Sequence, residues 1–175
     1  MTESLIRRLT EGNRDYRKDG NVELRLRTAR EGQHPYAVVV CCSDSRVIPE
    51  QIFSASTGDL FVIRVAGNVL ADHQMGSIEY AAEHLGCRLV VMLGHTGCGA
   101  VAAALEGHCT GYVSSITDDI LEAIGDEKDP DAASIKNVLS GVRKIRDGFA
   151  SHPGLSDTVV RGAVYDIVSG NVVWL

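Results

Sequence analysis

Three short apolar runs limit what this chain can fold into more than any other feature. Residues 36–42 (YAVVVCC), 60–65 (LFVIRV) and 88–93 (RLVVML) are β-branched or aliphatic almost throughout. Each is too short for a buried helix, and none alternates with polar residues, so each reads as a strand covered on both faces. Between the second and third runs the spacing changes. Apolar residues at 78, 81, 82 and 85 fall on one face of a helix over 76–85. Strands alternating with helices give an α/β fold with a mostly parallel central sheet flanked by helices. A fourth strand is expected at 159–167 (VVRGAVYDI). After the Ser169-Gly170-Asn171 turn, residues 172–175 add a short antiparallel C-terminal edge strand.

The remaining segments fill in the layers. An Ala-rich helix is expected over about 97–105, and residues 107–117 read as the least structured stretch. Acidic helical material then leads to Asp129-Pro130. Residues 131–149 form a long amphipathic helix with Ala133, Ile135, Val138, Leu139, Val142, Ile145 and Phe149 as its inner face. At the start, residues 3–18 read as a helix with a thin stripe of Leu5, Ile6 and Leu9, followed by a polar stretch over 18–33. The reading is a single domain over 1–175, with 1–32 a helical arm that packs on a partner subunit. A chain of 175 residues buries roughly 70% of its unfolded surface and needs no staples.

Charge and cysteine usage narrow the function. Seventeen Lys and Arg against 23 Asp and Glu give a formal net charge of -6. That balance disfavours nucleic acid and anionic membrane as partners. No run is long enough to span a bilayer, and the charged N-terminal segment has no signal-peptide core, so a cytoplasmic location is expected. Five cysteines is an odd number in such a chain, which points away from a disulfide framework. Metal binding, catalysis or burial must account for them.

Two motifs stand where strands end. Cys42-Ser43-Asp44-Ser45-Arg46 follows the first strand, and His95-Thr96-Gly97-Cys98-Gly99 follows the third. Ligands of open parallel sheets bind beyond the carboxyl ends of the strands, where connections leave on opposite faces. A strand order of 2-1-3-4 makes the first and third strands neighbours and opens both loops into one crevice. Two thiols and an imidazole then meet there. Zinc takes this donor set, and a catalytic site keeps the fourth position for water. Cys42 and His95 lie 53 positions apart, unlike the local spacing of a zinc finger, so Cys42, His95 and Cys98 read as a catalytic Zn2+ site. Cys98, in the first turn of the following helix, gains from the positive end of its dipole.

Asp44 and Arg46 are two positions apart, close enough for a bidentate pair that keeps the carboxylate ionised and aimed. Such an Asp can orient a zinc-bound water or serve as the resting fourth ligand, and the residues leave both open. Two thiolates offset the zinc charge, so activity should rise toward alkaline pH. Cys41 and Cys87 read as buried small hydrophobes. His34, His73 and His152 read as surface residues, His108-Cys109 as solvent-facing, and Arg64 as structural.

CCSDSRV followed by GHTGCGAV resembles the β-class carbonic anhydrases, with FVIRVAGN and GSIEYAAEHLG as further landmarks. The likeness runs from about Gly32 to the C-terminal VYDIVSGNVVWL. It implies a zinc lyase that interconverts carbon dioxide and bicarbonate by zinc-hydroxide attack, with one zinc per chain on Cys42, His95 and Cys98. Asp44 and Arg46 would be its catalytic dyad. The resemblance also implies a homodimer, or a larger assembly such as a tetramer, with sites near the interface. In plant-type members the substrate positions correspond here to Gln33, Phe61, Ala66, Tyr80 and the Gly99 N–H, partly from the partner chain. His84 matches a proton-shuttle position. Val39 and Cys41 replace the Trp and Gly of bicarbonate-regulated members, and the loop over 69–75 is short. Relatives with the same ligands that hydrolyse carbonyl sulfide or carbon disulfide, and a binding protein with an inactive site, are the alternatives.

Overall fold

The computed structural model describes residues 2–107 and 109–175. They form two compact units, one ending at Gln33 and the other beginning at His34. The first holds helices α1 (Thr2–Asp19) and α2 (Val22–Glu31). Helix α2 is a finding: the polar stretch that carries it has a cap in place of an apolar stripe. The Asn21 side chain accepts from the Leu24 N–H at 2.9 Å, and no residue of α2 is buried. Leu5, Ile6 and Leu9 of α1 are exposed.

The second unit carries the sheet. Its strands are β1 (Ala37–Cys41), β2 (Leu60–Arg64), β3 (Leu89–His95), β4 (Val159–Tyr165) and β5 (Val172–Trp174), in the order β2-β1-β3-β4-β5. The first four are parallel, and β5 pairs antiparallel with β4. The sequence reading of order and edge strand agrees. Every residue of β1 is buried. Val38 and Val40 join the core that includes Ile78, Val142 and Ile145, while Val39 and Cys41 join the opposite core with Val47 and Leu93. Period-two alternation between two covered faces is the reason this run shows no polar residue.

Helices α3 (Pro49–Ile52), α4 (Asp72–His84), α5 (Gly99–Glu106), α6 (Tyr112–Ile124) and α7 (Pro130–Ala150) complete the unit. Helix α6 begins inside the stretch expected to be least structured. Its first turn is exposed, with Tyr112 98% exposed, and its buried stripe of Thr117, Ile120 and Ile124 starts only later. Helix α7 differs at its inner face. Ile135 and Leu139 are exposed, and the smaller or polar Ser134, Asn137 and Gly141 are buried instead. These residues let α7 approach the sheet closely. A Cβ on Gly94 of β3 would stand 2.5 Å from Val138 Cγ2 of α7. Gly94→Ala should therefore cost about 1–3 kcal/mol by overpacking and lower Tm by several degrees in a thermal melt. An unchanged Tm would show that α7 can recede. Among the described residues, no helix is long and apolar enough to cross a membrane.

Candidate metal centre

The loops after β1 and β3 meet at the carboxyl end of the sheet, because these strands are hydrogen-bonded neighbours. Helix α3, after β1, lies by the core of Val39 and Cys41, whereas α5, after β3, joins a separate core with α6. Between them the ligand atoms of Cys42, His95 and Cys98 lie within 4.8 Å of one another. All three residues are buried, His95 completely. The His95 Nδ1 faces the Thr96 carbonyl at 2.9 Å, which makes Nδ1 the protonated nitrogen. The other nitrogen, Nε2, is buried without a hydrogen-bond partner. An orphaned imidazole nitrogen between two sulfurs is what a metal ligand looks like before its ion is added. This group can hold a metal ion.

The two thiols share one hydrogen bond and shift in opposite directions. Cys42 is held below the usual thiol range, first by its hydrogen bond with Cys98 and then, against the cost of burial, by His95. Cys98 is pushed up by that same bond and by burial, while the N–H groups of Val101 and Ala100 oppose the rise. One proton shared by two buried sulfurs leaves one thiolate, and a divalent cation would favour two. Cys98 sits at the N-cap of α5, one position before the observed first turn and not within it as expected. The helix dipole still acts on it there.

Asp44 closes the site. Its Oδ1 accepts from the Arg46 N–H at 2.9 Å and from Nε at 3.0 Å, and its Oδ2 accepts from the same guanidinium at 2.7 Å. The expected bidentate pair is present. These bonds, led by the side-chain fork, hold the Asp44 carboxyl well below the usual carboxylate range. Arg46 also donates to the Gly97 carbonyl at 3.3 Å, tying the two ligand loops together. Arg64 holds the first loop from beneath, donating to the carbonyls of Cys42 at 3.3 Å and Asp44 at 2.6 Å. The Gly67 N–H donates to Cys42 Sγ at 3.3 Å.

The carbonic anhydrase family profile matches residues 37–172. The solved β-carbonic anhydrase CcaA superposes with a TM-score of 0.83 at 26% identity, covering 98% of this chain and 87% of that one. The chain belongs to the β-class carbonic anhydrases. Carbonic anhydrase 2 of Mycobacterium tuberculosis is 45% identical over 98 residues, 53% of this chain. The chain spans about half the length of such curated relatives, 47% in this case. The carbonic anhydrase of Pseudomonas aeruginosa is 31% identical over 164 residues, covering 80% of this chain and 73% of that protein.

For a β-carbonic anhydrase, the other residues singled out in the sequence are divided. Ala66 lies in the 3₁₀ turn Ala66–Asn68, next to the Gly67 that touches Cys42. Gly99 opens α5 directly after Cys98, with the free N–H expected of a first helical turn. Phe61 and Tyr80 have ring centroids 6.3 Å apart, and Tyr80 and His84 lie 5.2 Å apart. This aromatic row lies back from the rim, because Phe61 pairs with Val38 and not with Cys41. Three strand residues amount to about 10 Å. His84 is exposed, with Glu83 3.9 Å away. Gln33 ends the first unit and is exposed.

Cys41 and Cys87 are buried, and burial pushes the Cys41 thiol up to about 12. His34 and His73 are exposed, whereas His152 is half-buried, 3.6 Å from Glu79. His108 lies outside the described residues. The reading from sequence missed Gly67 and Asn137, whose amide donates to the Gly67 carbonyl. The one available signal was the Gly67-Asn68 pair shortly after a strand.

Proposed function

We propose that the protein catalyses the zinc-dependent reversible hydration of carbon dioxide to bicarbonate and a proton. The observation that carries this reading is the convergence of two buried thiols and an unpartnered His95 Nε2 beside an Arg-fixed carboxylate. Cys42, His95 and Cys98 would hold Zn2+, whose preference for sulfur and nitrogen donors suits them. The ion, when bound, supplies a water acidified enough to act as a nucleophile near neutral pH. Asp44, acceptor-only and locked by Arg46, can take a hydrogen bond from a reacting O–H and aim a lone pair at carbon dioxide. The Gly99 N–H is a donor for a substrate oxygen, and the resemblance to plant-type members gives the Gln33 amide the same role. Ala66 leaves room beside the Gly67 that touches Cys42, and His84, next to Tyr80, carries the released proton toward buffer at the site that Tyr80 serves.

Phe61 and Tyr80 suit the site of a second subunit better than their own. They sit on the edge strand β2 and on α4, with Tyr80 48% exposed, and their distance from the rim of their own sheet supports a contribution across an interface. The exposed Leu5, Ile6 and Leu9 likewise support an arm laid on a partner. A cytoplasmic homodimer, with a tetramer as its next assembly, fits these features.

Stopped-flow carbon dioxide hydration across pH, on protein of measured zinc content, tests the reading. Asp44 has a depressed pKa, so it stays ionised above about pH 4 and is lost only as pH falls further. It therefore contributes no step near neutrality. The rate should still rise toward alkaline pH, because two thiolates feed charge to the metal. A fully zinc-loaded protein without hydration at any pH would refute the proposal.

A further inference from the structure

Asn137 is a polar side chain placed where an apolar one would be expected, 5% exposed on the inner face of α7. Its amide donates to the Gly67 carbonyl at 2.8 Å. A carbonyl can only accept, so the amide nitrogen is the atom that faces it. Gly67 holds a left-handed φ of 65°, and a Cβ there would stand 2.7 Å from Ile120 Cδ1 and 3.1 Å from the Ala100 Cβ. The turn needs glycine both for its conformation and for its packing. Glycine brings no side chain to hold the turn and carries the largest conformational entropy to be lost. The amide from α7 supplies the missing restraint. With the Gly67 carbonyl pinned, its N–H stays directed at Cys42 Sγ, 3.3 Å away.

We infer that Asn137 is a positioning residue for the metal centre, acting through Gly67 to keep an N–H hydrogen bond on the Cys42 sulfur. The inference rests on Cys42 being a metal-bound thiolate. An N–H donor draws electron density from a thiolate, so the sulfur gives less charge to the ion. At a centre with two thiolates, this offsets part of the loss of Lewis acidity that the second sulfur brings. It also fixes the direction of the Cys42 lone pairs. A purely structural amide would satisfy the Gly67 carbonyl without altering the sulfur.

Cobalt(II) substitution separates the two roles. Wild-type protein should show a thiolate-to-cobalt charge-transfer band. In Asn137→Leu, which keeps most of the volume and removes the donor, the band should move to longer wavelength. Cobalt affinity should fall by about 10–100-fold. Ile120→Val loosens the packing on Gly67 but leaves the amide in place, so it should keep the wild-type band. A cobalt-loaded Asn137→Leu protein with an unmoved band overturns the inference. Should that variant not fold, wild-type protein loaded with an NMR-active cadmium isotope decides. Scalar coupling between the metal and the Gly67 amide proton, through the Cys42 sulfur, is expected, and its absence overturns the inference. A wild type with no thiolate charge-transfer band removes the underlying reading of Cys42, and the inference with it.

Discussion

Asp44→Asn is expected to keep its metal and its fold while losing turnover by about 10²- to 10⁴-fold. Asn has the shape of Asp but not its charge or its second acceptor. In the wild type the Arg46 backbone N–H and Nε bond Oδ1, and the outer guanidinium nitrogen bonds Oδ2. An Asn can present its oxygen to only one side of that fork. If the oxygen keeps the Oδ1 bonds, the amide NH2 faces a guanidinium N–H, donor against donor. The fork must open, and the group facing the substrate becomes a donor in place of an acceptor. The Arg46 bond to the Gly97 carbonyl, which ties the two ligand loops, does not use the Asp44 carboxylate, so metal per chain should be unchanged. Asp44 is half-buried but its partner Arg46 is exposed, so Tm should move by only a few degrees. Metal analysis, a thermal melt and stopped-flow hydration check the three parts. Turnover near that of the wild type at full metal would remove Asp44 from the reaction.

Other parts of the site were readable in the sequence because each rests on a local pattern. The strands show as unbroken apolar runs since both faces are covered, as with Val38 and Val39 in opposite cores. Cys42 and His95 stand at strand ends, and the expected strand order of 2-1-3-4 brings those ends into one crevice. The Asp44–Arg46 fork needs only a spacing of two. What stayed hidden depends on contacts distant in the chain. Arg64 acts on the backbone carbonyls of Cys42 and Asp44, and a carbonyl has no signature in sequence. Asn137 is buried on α7 where hydrophobic periodicity points to Ile135 and Leu139, because close approach to the sheet selects small and hydrogen-bonded residues there. Helix α6 begins in polar residues whose hydroxyls bond back to its own turn, as Ser114 and Ser115 do. An apolar stripe becomes visible only from Thr117 onward.

Cys98→Ser should abolish both metal binding and hydration, the largest effect expected of any single change. Serine is nearly isosteric, so packing at this buried position is preserved, yet its hydroxyl does not ionise near neutral pH and is a poor ligand for a borderline-soft ion. Zinc should fall from about one per chain to near zero, and hydration to the uncatalysed rate. Stability gives an independent readout. In the wild type, a metal held by Cys42, His95 and Cys98 would bridge loops more than fifty residues apart in sequence, Cys42 to His95. Free zinc at about 100 times its Kd should add about 2.7 kcal/mol. For a chain of this size that is a rise in Tm of about 5–10 °C, reversed by a chelator. The variant should melt at one temperature with or without zinc. Its metal-free form should lie close to that of the metal-stripped wild type, since a serine oxygen can still accept from the Val101 and Ala100 N–H groups and share a hydrogen bond with Cys42. Zinc retained at full stoichiometry in Cys98→Ser would show that the ion sits elsewhere, and a wild type indifferent to chelation would show that no ion bridges the two loops.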